Sequence, residues 1–149
     1  MSTNTLEQPL FAEQMDDFAR RARKAQQMLV LGHCEAFDEL GEVYGECSHP
    51  DWDGYDALPV EQETLRYAYQ LIESMRLGFP RPSIGAEPDG ALTLEWHHSP
   101  RRTLSVSVTA DGYLHYSALF GANHVNGTIV FFGEIPEEIE TLVSRVVGP

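Results

Sequence analysis

The chain has 149 residues, a mass of 16.7 kDa and a formal net charge of −13, from 10 Lys and Arg against 23 Asp and Glu. This length favours one domain, which can bury a core without disulfide or metal support. An apolar fraction of 42% excludes global disorder. No apolar run approaches the roughly 20 residues of a membrane span, and Glu7 and Glu13 argue against a secretory signal. We therefore expect a cytoplasmic protein in which Cys34 and Cys47 are free thiols.

The acidic residues are concentrated in one segment. Between Glu35 and Glu63 there are ten acids and no Lys or Arg. A charge of this sign repels phosphates and attracts basic groups, so we expect a protein partner with a basic surface and no direct nucleic-acid ligand. The ten acids are Glu35, Asp38, Glu39, Glu42, Glu46, Asp51, Asp53, Asp56, Glu61 and Glu63.

Four basic residues lie just before that segment, and two interpretations of them are open. They pair with acids of the neighbouring segment, or they form a separate basic contact site. The four are Arg20, Arg21, Arg23 and Lys24.

The first half of the chain has helical periodicity. Apolar residues at helical spacing predict an amphipathic helix over 9–29, with Pro9 in its first turn. A shorter helix around residue 40 is expected to end near Gly41 or Gly45, and a third is expected over 60–77, closed by Gly78. The apolar positions of the three are Phe11, Met15, Phe18, Ala22 and Leu29; Phe37, Leu40 and Tyr44; and Leu65, Tyr69, Ile72 and Met75.

From residue 82 the apolar period changes to two, which predicts an antiparallel meander of four or five strands over about 82–132. Asp89-Gly90, Asp111-Gly112 and Asn126-Gly127 are expected to separate strands, the last of them Thr128–Phe132. Keeping apolar residues on one face pairs Val108 with Leu114 and leaves a polar face. Its residues are Thr93, Glu95, Ser105, Ser107 and His115. A terminal helix over about 136–147 completes a two-layer α+β domain.

No motif assigns a reaction. The acids around Asp51 lack EF-hand spacing, so we expect a structured turn in which Trp52 and Tyr55 pack and Asp53 or Asp56 accepts hydrogen bonds from backbone amides. The two His-Cys pairs of the sequence lack a common zinc spacing. Ser107 and His115 could be a nucleophile and a base, but no orienting acid or oxyanion hole accompanies them. We therefore assign no catalytic residue and expect no metal or cofactor.

Three pieces of the sequence together resemble those of a widespread group of small uncharacterised bacterial proteins. The first runs from Trp52 to Pro59 with the sequence WDGYDALP, the second is Pro88-Asp89-Gly90 before a strand that ends in Leu94-Glu95-Trp96, and the third is a second strand closed by Asp111-Gly112. The group has a W-D-G-Y-G-A-x-P box and a later L-E-W strand, and the resemblance covers about residues 50–120. Asp56 stands where the box has glycine. The resemblance implies a bacterial or phage-borne protein and brings no catalytic residues.

Three functions are compatible with these patterns. The first is a non-enzymatic acidic protein that inhibits or neutralises a protein partner, of antitoxin, immunity, anti-restriction or anti-CRISPR type. The second is a small-ligand-binding protein or hydrolytic enzyme that uses the Trp52-Asp53-Gly54-Tyr55 loop, with His97 and His98. The third is an accessory subunit that docks through its polar sheet face or its first helix. The expected partner-binding residues are Glu35, Asp38, Glu39, Glu42, Glu46, Asp51, Trp52, Asp53, Tyr55 and Asp56.

Overall fold

The computed structural model describes residues 4–148, with side chains except those of residues 4–10 and 28–30. Three helices and one five-stranded sheet follow one another along these residues. The elements are α1 (Asn4–Cys47), α2 (Gln62–Ser74), β1 (Ser83–Ala86), β2 (Leu92–Ser99), β3 (Arg102–Val108), β4 (Tyr113–Phe120), β5 (Asn123–Val130) and α3 (Glu137–Val147).

The first helix is one continuous element, so the prediction of two helices is wrong. It begins at Asn4, before Pro9, and passes through Gly41 and Gly45 without a break. A glycine inside a helix costs only about 1 kcal/mol, and burial of Ala36 and Leu40 on the same helix outweighs that cost. At 1.5 Å per residue the helix is about 66 Å long, much longer than the sheet is wide.

The sheet is an antiparallel meander in the order β1-β2-β3-β4-β5, which confirms the predicted α+β class. Val108 lies opposite Leu114 and Ser107 opposite His115, in the register that the apolar alternation predicted. The sequence does not predict β1 as a separate strand, because its four residues, one of which is Gly85, are too few to show an alternation of apolar and polar residues.

The prediction of a turn at Asn126-Gly127 is wrong, because both residues lie inside β5 and the chain turns at Gly121 instead. Gly127 lies opposite Tyr116, whose ring occupies the space above it. A Cβ at Gly127 would lie 2.4 Å from the Tyr116 hydroxyl oxygen. The glycine therefore provides room for an aromatic side chain rather than for a turn.

All three helices pack on one face of the sheet. The C-terminal part of α1 lies against β1 and α2, and α3 covers β2 and β3. Trp96 is at the centre of the core and donates a hydrogen bond from Nε1 to the carbonyl oxygen of Pro80, at 2.8 Å. The opposite face is polar as predicted, although Thr93 on that face is only 6% exposed.

The second and third helices lie close to their predicted positions. Ile72 of the predicted α2 stripe is buried, whereas Leu65 is only partly buried and Tyr69 is exposed, because the buried side of the helix includes Leu71 instead. Burial of Ile139 and Val143 in α3 follows their helical spacing. The second helix ends with Met75 at its C-cap, so Gly78, with a φ of 84°, lies in the following turn rather than capping the helix.

The two thiols provide a test of the α1 packing. Cys34 is exposed, whereas Cys47 is buried. Burial is the larger cause that raises the pKa of the Cys47 thiol, and the negative charge of the nearby Glu46 carboxylate raises it further. We expect Cys34 to react with Ellman's reagent within seconds to minutes and Cys47 to react only after unfolding. A rapid titration of two thiols in the native protein would contradict this placement.

Candidate protein-binding surface

Two of the ten clustered acids attach α1 to the rest of the domain. Arg81 donates hydrogen bonds to Glu35, at 3.0 Å, and to Glu39, at 2.8 Å. The other Glu39 oxygen accepts a hydrogen bond from the backbone N–H of Ile84 at the start of β1, at 3.0 Å. These two carboxylates therefore have a structural role, although the sequence placed them in the partner-binding set.

Three acids of the segment form a continuous exposed row on α1, which we call the acidic ridge: Asp38, Glu42 and Glu46. Their i, i+4 spacing aligns them on one side of the helix over about 12 Å, away from the buried Ala36 and Leu40. No described basic side chain lies within 4.0 Å of these three carboxylates. The ridge is thus free to meet positive charge from outside.

The four basic residues of α1 do not neutralise the ridge. Arg21 pairs with Asp17 at 2.8 Å and Arg20 lies 3.7 Å from the same carboxylate, within their own stretch of the helix. Lys24 and Asp38 are fourteen residues apart on one rigid helix, which separates them by about 21 Å along its axis. The interpretation in which this cluster pairs with acids of the following segment is therefore wrong.

The acidic loop after α1 is held by its own aspartates. Asp53 Oδ1 accepts hydrogen bonds from the backbone N–H groups of Tyr55, at 2.8 Å, and Ala57, at 3.1 Å. Asp51 Oδ1 accepts from the N–H of Asp56, at 2.8 Å. These carboxylates build the loop, as aspartates commonly do in turns. The expectation that Asp53 or Asp56 bonds backbone amides is confirmed for Asp53.

The two aromatic residues of the loop behave differently. Trp52 is half-buried against the core and donates from Nε1 to the carbonyl oxygen of Leu58, at 2.9 Å. Tyr55 is 89% exposed at the tip, so the expectation that both aromatics pack is wrong. An exposed tyrosine on a rigid loop is suited to partner contact, because a large surface is presented at little entropic cost.

Asp56 adopts a left-handed backbone conformation with a φ of 63°. Glycine takes this conformation without steric cost, and aspartate tolerates it better than most other residues. A β-branched or bulky side chain would be strained at this position.

An apolar groove between α1 and α2 lies beside these features, and the sequence did not reveal it. It has a volume of about 350 Å³, and Phe37 and Tyr69 stack across it with their ring centroids 4.6 Å apart. Tyr69 remains 48% exposed. Its helical spacing indicated a core position, and only the relative placement of the two helices shows that it lines an open groove.

The residues of the enzymatic alternative are not brought together. The backbone N–H of Leu58 binds the carbonyl oxygen of Pro88, which places the Trp52 loop beside the start of β2, whereas His97 lies near the other end of that strand. Ser107 donates to Glu87 Oε1 rather than to His115, whose Nδ1 lies 2.9 Å from Thr128 Oγ1. The Ser107–His115 pair is therefore not a dyad.

The zinc alternative also fails on geometry. Cys34 and Cys47 are about 20 Å apart along one helix, too far to share an ion. Among the described residues, no group of three or more His, Cys, Asp and Glu side chains is placed to hold a metal. Within the same part of the chain, no helix has the length and apolarity needed to cross a membrane.

Comparison of the chain with protein-family models, with curated proteins and with solved structures finds no match.

The loop geometry predicts that substitutions of Asp53 and Asp56 change the free energy of unfolding in different ways. Asp53→Ala removes the acceptor of two N–H groups and should lower the free energy of unfolding by about 1–2 kcal/mol, whereas Asp53→Asn, which keeps an acceptor oxygen, should lose less. Asp56→Gly should be neutral or stabilising by up to about 1 kcal/mol, and Asp56→Ala should destabilise. Urea denaturation measures all four, and a destabilising Asp56→Gly would contradict the account.

Proposed function

We propose that the chain is a non-enzymatic binding protein that inhibits or neutralises a protein partner with a basic surface. The observation that carries the proposal is the acidic ridge of Asp38, Glu42 and Glu46, exposed on a continuous helix with no described cation within 4.0 Å of its carboxylates. Carboxylates fixed in a row meet lysines and arginines without a large ordering cost, accelerate encounter and set the register of docking.

Two apolar features of the surface supply contacts that the charge of the ridge does not. The apolar α1–α2 groove and the exposed Tyr55 ring provide surface that can be buried, because rim charges steer association while buried apolar and aromatic groups contribute most of the affinity. A basic partner surface with protruding apolar side chains fits this combination. Nucleic acid does not, since its phosphates would face the ridge.

A pair of charge reversals with a matched control tests the proposal. The ridge variant is Glu42→Lys with Glu46→Lys, and the control is Glu73→Lys with Glu134→Lys, which changes the net charge equally at exposed positions elsewhere. Glu39 is left intact because its reversal would break the contacts to Arg81 and Ile84. Both variants should retain the stability of the parent to within about 0.5 kcal/mol.

The parent, the control and the ridge variant are each used to capture proteins from a lysate of the source organism. The expected partners are proteins that the parent and the control capture and the ridge variant does not. The affinity of such a partner should fall about tenfold or more on ridge reversal and decrease steeply with added salt. Capture of the same proteins by the ridge variant, at the same affinity, would refute the proposal.

A further inference from the structure

The N-terminal half of α1 carries an apolar face that nothing in the described chain covers. Phe11, Met15 and Phe18 are 65%, 52% and 69% exposed. Between Phe11 and Gln27 every side chain is exposed apart from Asp17 and Ala19, which are partly exposed. The most N-terminal described side chain of α1 that hydrogen-bonds to another element is His33, which donates from Nε2 to the carbonyl oxygen of Ile72, at 3.1 Å.

This face continues the stripe that anchors the helix in the core. Steps of three and four residues lead back from the buried Ala36 through Gly32 and position 29 to residues 25, 22, 18, 15 and 11. The spacing is that of a coiled-coil seam, with one apolar position every 3.5 residues. The side chain of Leu29, which the sequence placed on this stripe, lies outside the described set. On the domain side of residue 32 the seam packs against the core, whereas over residues 11–27 no side chain of the described part of the chain covers it.

We propose that this seam is covered by a second copy of the same chain, in an antiparallel pair of α1 helices centred near residue 20. The inference goes beyond the proposed partner-binding function and does not depend on it, because the acidic ridge begins more than ten residues further along the helix.

The charged residues of this segment lie outside the seam. With residues 11, 15, 18, 22 and 25 at the a and d positions of the heptad, only Arg21 flanks the seam, at a g position. The other charged residues fall at b, c and f positions, on the side of the helix that faces solvent, so the orientation of the pair depends on side-chain size; they are Glu13, Asp16, Asp17, Arg20, Arg23 and Lys24.

Side-chain size fits the antiparallel register. With the twofold axis near residue 20, Phe18 lies opposite Ala22 of the second copy and Met15 lies opposite Ala25 of the second copy. Large residues face small ones in each layer, which allows close interhelical packing. The parallel alternative would stack Phe18 on Phe18 and leave Ala22 facing Ala22, with a gap at each alanine layer.

The area that the pair can bury reaches the lower bound of a specific interface. Two phenylalanines from each copy bury roughly 600 Å² at about 150 Å² each. The two methionines, the alanines and the aliphatic parts of the side chains beside the seam bring the total buried surface to about 1,000 Å², the lower bound for a specific interface. Covering this surface also stabilises a helical segment that has no tertiary packing of its own.

Mass measurement on the full chain tests the association. At about 100 μM the parent should sediment with twice the 16.7 kDa of one chain. Phe18→Glu should raise the dimer dissociation constant by about 100-fold or more, because each copy loses a large apolar side chain and gains a charge in the seam. Leu31→Glu is the matched control, since Leu31 is also an exposed apolar residue of α1, at 55% against 69% for Phe18, but lies off the seam, and it should leave the dimer intact.

Circular dichroism should show both variants folded, because neither side chain contributes to the core. A parent that sediments as a single chain at this concentration, or a dimer indifferent to Phe18→Glu, would overturn the proposal. Ridge reversal leaves the seam untouched, so failure of the dimer and failure of partner binding are distinguishable.

Cysteine cross-linking tests the orientation, in a Cys34→Ser background that leaves only the buried Cys47. Across the antiparallel axis Ala19 is close to Ala19 of the second copy, whereas Ala25 and its counterpart are about 15 Å apart along the axis. A short bis-maleimide should therefore link Ala19→Cys chains efficiently and Ala25→Cys chains poorly. Efficient linking of the Ala25→Cys chains would show a parallel pair, in which each residue lies level with its counterpart, and would refute the arrangement.

Discussion

The structure depends on a mismatch between the length of α1 and the size of the domain on which it packs. The helix is about 66 Å long, but its apolar stripe reaches the sheet and α2 only from about residue 32 onward. That anchored part is fixed by burial of Ala36 and Leu40 and by the contacts of Arg81 with Glu35 and Glu39. The remaining turns extend from the domain with the same stripe exposed.

The continuity of this helix also determines the electrostatics of the molecule. Because the acids and bases are separated along one unbroken helix, they cannot fold back onto each other. The basic stretch finds its described partner in Asp17, and the acidic ridge, about 21 Å further along the axis from Lys24, keeps its charge. A flexible linker between the two stretches would have allowed neutralisation within the chain. The banded charge pattern of α1 is thus a consequence of helical continuity.

Much of the fold was predictable because apolar periodicity and cross-strand pairing are local properties. The register of Val108 against Leu114 follows from alternation alone. Continuity of α1 was missed because Gly41 and Gly45 are weak local stop signals that tertiary packing overrides. The Asn126-Gly127 turn was predicted wrongly because a glycine beneath Tyr116 has the same sequence signature as a glycine in a turn.

The candidate surface was less predictable than the fold. Sequence identified the acidic segment, but only the structure separates Glu39 and Asp53, which serve the fold, from Glu42 and Glu46, which face solvent. The groove beside Tyr69 depends on how two helices lie together, and no local pattern specifies that placement. The uncovered seam likewise becomes visible only when the extent of the domain is known.

The most direct measurement of the central claim is amide hydrogen exchange along α1 at two protein concentrations. Amides of residues 36–47 should be protected equally at both, because the domain itself covers that part of the helix. Amides of residues 11–27 should become markedly more protected at the higher concentration, as the exposed stripe is buried between two copies. Protection of residues 11–27 that is the same at both concentrations would contradict the account.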